Sequence, residues 1–286
     1  MWVLLIILAI VLIFLICRVR KIPKLGNMVL VTGGIKTGKS TLSVHLALRT
    51  YKKQVRKWKI KKFFIRLFKK LKFKKFKNRE LPEKPLLYSN IPLKTAYVPL
   101  TKKLLLREER FAYGSVCYVC ESSLVADSQS CKGKTGEEIN EDMLLLNKLF
   151  AHETKGGYIF YDTQSIYDNH YAVKRCLSTY LYIHHTVKVF PFFILAWVRE
   201  MKFSEDSTVV NTFDDDVEEK LKLILIPKKV WKKFDCYCYS SLTDNLELND
   251  KVQYPESLKA EDIISFKDYK KLKKGVAVKC LKSKKN

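Results

Sequence analysis

With 286 residues the chain can bury one full α/β core and a small appendage, and a second large domain would be a squeeze. A hydrophobic content of 47% excludes wholesale disorder. The 54 Lys and Arg against 29 Asp and Glu give a formal net charge of +25, a balance that concerns partners and location rather than fold: nucleic acid, anionic lipid or an acidic protein would be attracted.

Residues 1–17 (MWVLLIILAIVLIFLIC) carry no charged or strongly polar side chain. A run of this length just reaches the lower limit for crossing a bilayer core. A cleavable signal peptide needs a positive start and a small-residue cleavage site; here the start is Met1-Trp2 and the exit is Arg18-Val19-Arg20-Lys21. The expectation is a retained transmembrane anchor over 1–18. Its basic flank on the C-terminal side assigns everything after Arg18 to the cytoplasm, where ATP is.

Asn27 to Thr32 is an apolar, β-prone run that reads as a buried strand. It leads into Gly33-Gly34-Ile35-Lys36-Thr37-Gly38-Lys39-Ser40, which fits GxxxxGK[ST], and Thr41 to Leu48 then has helical periodicity. Each part has a physical task. Glycines let backbone N–H groups curl around a β-phosphate, and the helix N-terminus adds its positive dipole end. Lys39 supplies a point charge to the β- and γ-phosphates, and the Ser40 hydroxyl is placed to ligate Mg²⁺. Gly33 to Thr41 are therefore the nucleotide-binding residues, and His45 reads as a helix-surface residue. No guanine-reading NKxD is visible, which favours ATP over GTP.

Lys52 to Arg79 holds fifteen Lys and Arg and no acid. Trp58, Ile60, Phe63, Phe64, Leu67, Phe68, Leu71 and Phe76 interleave with them, several at three- or four-residue spacing. The spacing predicts a basic amphipathic helix, an insertion over 52–80 with an apolar stripe suited to an anionic lipid surface. Interleaved aromatics and cations also suit single-stranded nucleic acid, and a core-packed helix with a solvated charged side is the plainer alternative.

A short strand is expected over Leu86 to Ser89. Another over Ser115 to Val119 ends at Cys120-Glu121-Ser122-Ser123, where the second nucleotide-binding strand of P-loop ATPases stops. Glu121 stands in the place of the glutamate that polarises the attacking water. The position before it, where a Mg²⁺-side aspartate is expected, is Cys120, a poor partner for an ion that wants hard oxygens. Asp127 or a water would then take over, or hydrolysis is weakened. After a helix over Asn140 to His152, Gly156 to Asp162 forms a further strand ending in Thr163-Gln164-Ser165. Gln164 fits a γ-phosphate sensor, against a plain helix-capping turn from Thr163 to Asp168. A helix over Asn169 to Tyr182 carries Arg175, more an ordinary surface arginine than a finger for a neighbouring subunit. His184 and His185 read as strand residues.

Val187 to Val198 is too short to span a membrane and reads as a buried strand or hairpin. Val217 to Pro227 has a strand core, Leu221 to Ile226, followed by a basic turn or short helix at Lys228 to Lys233. Residues 236–286 are polar and Lys-rich, a basic C-terminal extension. The eight cysteines show one CxxC, Cys117 to Cys120, inside an apolar run, and read as buried free thiols rather than a zinc or redox pair.

Together, the P-loop at Gly33 to Ser40, YSNIPL at Tyr88 to Leu93, the strand end Glu121-Ser122-Ser123 and KGGYIFYDTQSIYDNH at Lys155 to His170 resemble the zonula occludens toxin-like proteins, the assembly ATPases of filamentous phages. The resemblance runs from about Met28 to Trp197. It implies a RecA/FtsK-like ASCE P-loop NTPase domain, an α/β fold with a parallel sheet flanked by helices, over 27–235. It also implies ATP and Mg²⁺ as ligands, Glu121, Gln164 and Lys39 as catalytic residues, and a homo-oligomeric ring at the host inner membrane. That ring would extrude single-stranded phage DNA while coat proteins are added. Better-known members carry the membrane helix after the ATPase domain, whereas here it precedes it. A non-hydrolysing nucleotide-binding scaffold and a conjugation-type DNA motor are the alternatives.

Overall fold

The computed structural model describes residues 24–73, 76, 78–101, 104, 109–122, 134–167, 171–174, 176–189, 191–202 and 218–234. The expected anchor at 1–18, Asp127, Arg175 and the extension at 236–286 lie outside the described residues. No described helix is long and apolar enough to cross a membrane.

The run MVLVT forms β1 (Met28–Thr32), buried along its whole length as a central parallel strand must be. It lies between β5 (Tyr158–Thr163) and β6 (Thr179–Val189), parallel to both. Beyond β5 come β4 (Val116–Val119), β2 (Leu87–Ser89) and β3 (Val98–Pro99), again parallel. On the other side β6 continues antiparallel into β7 (Phe193–Lys202) and β8 (Glu218–Pro227), giving the order β3-β2-β4-β5-β1-β6-β7-β8.

Side chains alternate between the two faces of the sheet. Val29 and Val31 of β1 join Tyr118 and Phe160 under Leu42 and Leu46 of helix α1 (Lys39–Lys70). Leu30 joins Cys117, Ile159 and Tyr161 against Leu146 and Phe150 of helix α2 (Lys134–Glu153) on the opposite face. Helices therefore cover both faces, as expected, but the sheet is mixed rather than wholly parallel. The cause is local: Val187 to Val198 does form a hairpin, and strands joined by so short a turn must run antiparallel.

Two further expectations are corrected. The helix expected over Asn169 to Tyr182 is confined, among the described residues, to α3 (Tyr171–Lys174); Thr179 onward is strand, because Thr-Tyr-Leu-Tyr-Ile suits an interior strand beside β1, where Thr179 pairs with Val29. The basic stretch is not a separate inserted helix. Its first nineteen residues, 52–70, are the continuation of α1. No Gly or Pro interrupts Ser40 to Lys70, so the helix that starts at the glycine turn runs on for 32 residues, roughly 48 Å. Its buried residues end at Thr50 apart from Ile65, and Ile60, Phe63, Phe64 and Leu67 are exposed. Lys228–Lys233 forms a 3-10 turn that seats Val230 in the core.

Candidate nucleotide site

Between β1 and α1 the chain turns through Gly33 to Gly38. Thr37 closes the turn, its N–H and its Oγ1 both donating to the Gly34 carbonyl, at 3.4 and 2.8 Å. Lys36 and Gly38 take left-handed backbone conformations, with φ of 62° and 93°. Gly38 is the N-cap of α1, its carbonyl accepting from Leu42 N at 3.0 Å, and no side chain caps the helix. The dipole end of α1 therefore faces the turn, the arrangement that receives a phosphate.

The glycines at either end of the turn are required by β6. A Cβ at Gly38 would come to 2.8 Å from Thr186 Cγ2, on top of the left-handed φ. One at Gly33 would meet Ile183 Cγ2 at 2.4 Å and the Ile183 carbonyl oxygen at 2.8 Å. Gly34, Ile35 and Lys36 form the exposed tip, with Ile35 74% exposed. Ser40 is half-buried and Thr41 buried in the first turn of α1.

Because β1, β5 and β4 are parallel and adjacent, their C-terminal ends share one edge. Lys39 follows β1, Gln164 follows β5 and Glu121 follows β4. The side chain of Lys39 is buried and donates to Glu121 Oε1 at 2.5 Å, so the structure brings this pair into direct contact. Glu121 is half-buried with a left-handed φ of 50°, a conformation that a non-glycine residue holds only when its surroundings fix it. Gln164 stands exposed at the end of the strand between them.

Three residues at this edge were not singled out from the sequence. Asp162 is fully buried; its Oδ1 accepts the Glu121 N–H at 2.8 Å and its Oδ2 accepts the Tyr118 hydroxyl at 2.7 Å. Burial raises the Asp162 pKa, and the two hydrogen bonds oppose that rise. Tyr118, fully buried, is raised by burial and by Asp162. Asn90, after β2, holds the end of β4 with both ends of its amide: Cys120 N donates to its Oδ1 at 2.8 Å, and its Nδ2 donates to the Cys120 carbonyl at 2.9 Å. The available signal was Asp162 itself, an acid inside the uncharged strand YIFYDT; a carboxylate in a central strand is costly unless it has a task.

Cys117 and Cys120 are buried free thiols in the two opposite core layers, as strand residues three apart must be, so their CxxC pairs neither for redox chemistry nor for metal. Burial pushes both thiols up, and Asp162 adds to the rise at Cys120. His184 and His185 are strand residues, His185 stacked on Trp197. His45 departs from the surface reading. It is half-buried beside Arg49, Lys52 and Lys233, with its pKa lowered to about 4, by burial first and then by those cations.

Among the described residues no cluster of three or more His, Cys, Asp or Glu could cage a metal ion. Mg²⁺ needs no such cage, since it keeps several waters and takes one or two protein oxygens beside the phosphates. The Ser40 hydroxyl and the carboxylates at this edge are donors of the kind it accepts, and the Cys120 thiol is not.

No family model and no curated protein matches the chain. Among solved structures, the N-terminal domain of zonular occludens toxin from Neisseria meningitidis is similar, at 15% identity and a TM-score of 0.41, over 74% of this chain and 100% of that one. The genome packaging NTPase of Sulfolobus turreted icosahedral virus 2, in complex with ATP-gammaS, matches at 14% identity and a TM-score of 0.29, over 62% of this chain and 97% of that one. A KaiC-like protein from Pyrococcus horikoshii matches at 12% identity and a TM-score of 0.33, over 70% and 89%. With TM-scores this low, the functional assignment falls to the residues of the site.

Proposed function

We propose that the chain is a membrane-anchored P-loop ATPase of the zonula occludens toxin-like type, coupling ATP binding and hydrolysis to the assembly and export of filamentous phage. The observation that carries the enzymatic part is the contact between Lys39 Nζ and Glu121 Oε1 at 2.5 Å, which joins the phosphate loop to the glutamate at the end of β4. In that reading Gly33 to Thr41 receive the triphosphate and Lys39 exchanges Glu121 for the β- and γ-phosphates. The released Glu121 carboxylate then orients and deprotonates the attacking water. Ser40 would hold Mg²⁺, whose chemistry when bound is to neutralise charge building on the phosphate oxygens. Gln164, at the end of the intervening strand, would report the γ-phosphate.

The remaining parts rest on chemistry of the chain outside the site. The residues at 1–18 would anchor it in the host inner membrane with the rest cytoplasmic. The exposed aromatics and cations of α1 favour an anionic lipid surface beside that anchor. Single-stranded DNA would find stacking partners and phosphate contacts on the same helix, where Tyr51, Lys52, Arg56, Trp58 and Lys59 line a groove of about 640 Å³. A homo-oligomeric ring acting with phage coat proteins completes the proposal.

Cys120 favours one second reading, a scaffold that binds nucleotide without turning it over. Full-length protein in detergent, given labelled ATP and Mg²⁺, separates the two. Uptake with turnover supports the ATPase, and uptake without turnover, even with single-stranded DNA and anionic lipid, supports the scaffold. No uptake by the wild type, or unchanged uptake in Lys39→Ala, rejects both.

A further inference from the structure

We propose that Asp162, reaching across from β5, supplies the Mg²⁺-side carboxylate that the end of β4 lacks at Cys120. The proposal rests on the nucleotide-binding reading above and adds a residue to it.

Register puts Asp162 there. Tyr161 pairs with Val119, so the next step along both parallel strands sets Asp162 beside Cys120, and on its other side Asp162 pairs with Val31 of β1. Alternation then fixes the face. Phe160, Tyr118 and Cys120 all belong to the core layer beneath α1, and Asp162, two residues after Phe160, shares that face. The carboxylate thus lies under the helix whose first turn carries Lys39 and Ser40. Both Lys39 and Glu121 act on its charge, and it acts in turn on the Cys120 thiol.

Its bonding leaves capacity for a further partner. An ionised carboxylate offers about four acceptor positions. Hydrogen bonds from Glu121 N and Tyr118 Oη, one on each oxygen, and one with the Cys120 thiol account for three. A neutral asparagine could serve the first two contacts, its Oδ1 accepting from Glu121 N and its Nδ2 donating to Tyr118 Oη, without placing a charge in a central strand. A buried charge is costly unless it is compensated by a cation. Lys39, which acts on the Asp162 charge, is the candidate until phosphates draw it away, and a hydrated Mg²⁺ is the cation that arrives with them. The hydrogen bond from Glu121 N also ties the same carboxylate to the left-handed residue that would activate water, so one side chain serves both halves of the site.

The test measures uptake of a fluorescent ATP analogue by the full chain in detergent as Mg²⁺ is titrated. Asp162→Asn keeps an acceptor for Glu121 N and a partner for Tyr118 Oη while removing the charge. The Mg²⁺ concentration for half-maximal uptake is expected to rise about 10-fold or more. Adding Cys120→Asp to Asp162→Asn should restore most of the lost Mg²⁺ response, which a merely structural role for Asp162 would not permit. Cys120→Ser alone, a near-isosteric change, should leave the response at the wild-type value. A wild-type Mg²⁺ response in Asp162→Asn, a double variant no better than Asp162→Asn, or a Cys120→Ser loss equal to that of Asp162→Asn would each overturn the assignment. Absence of uptake by the wild type would instead reject the nucleotide-binding reading.

Discussion

Lys39 Nζ and Glu121 Oε1 meet at 2.5 Å although 82 residues separate them along the chain, and the contact links the start of α1 to the end of β4. Charge-assisted hydrogen bonds of this kind are strong, and removal of Glu121 would leave the buried Lys39 ammonium poorly solvated. The two substitutions should nonetheless part company in function. Lys39→Ala is expected to abolish nucleotide uptake. Glu121→Gln keeps a hydrogen-bond acceptor for Lys39 and should retain uptake while losing about 100-fold or more in turnover. Equilibrium binding and single-turnover kinetics, run on the same preparations, check the split.

Gly38 combines a left-handed φ of 93° with a Cβ position 2.8 Å from Thr186 Cγ2. Gly38→Ala should therefore cost about 1 kcal/mol or more of stability and impair uptake. Thr186→Gly in the same chain removes the steric part and leaves the backbone part, so only partial recovery of the unfolding midpoint is expected. Full recovery would mean that the left-handed backbone carries no penalty at this position.

The far half of α1 gives the opposite prediction, function without stability. Phe63, Phe64 and Leu67 are exposed, so the triple serine variant should change the unfolding free energy by no more than about 1 kcal/mol. In lipid nanodiscs, trypsin should cut 52–79 more slowly when the lipid is anionic than when it is neutral. High salt or the triple substitution should remove that difference. Equal cutting in both discs, with protection appearing on addition of single-stranded DNA, would transfer the surface to nucleic acid.

His45 carries a pH dependence with a definite sign. Its pKa falls from 6.5 to about 4 on folding, because burial and the neighbouring Arg49, Lys233 and Lys52 oppose the imidazolium. Above pH 6.5 both states are neutral and the residue contributes nothing to the slope. As pH falls through 6.5 the unfolded chain takes up the proton first, so stability declines until about pH 4, where the folded state also binds it. The loss amounts to roughly 2–3 kcal/mol across that window. His45→Gln should flatten this part of the profile relative to wild type, measured by denaturant unfolding at stepped pH.

Much of this arrangement was written into local sequence. The strand–turn–helix unit was legible because it is contiguous: β1, the glycine turn, Lys39, Ser40 and α1 follow one another with nothing between. The strand ends at Glu121 and Gln164 could be found because apolar runs stop abruptly at polar residues, whereas Val187 to Val198 stayed open between strand and hairpin because its length excludes only a membrane span. What the sequence left open was adjacency. Asp162 reads as the last residue of a strand until register lays it beside Cys120, and the two are 42 positions apart. The length of α1 was likewise hidden, since a change from core-facing to cationic residues looks like a boundary although the backbone has no reason to stop there. Local propensity and spacing determined which elements form and which residues end them. Only the order of the strands, set by long-range burial of both sheet faces, decided which of those ends share one edge and therefore which side chains meet there.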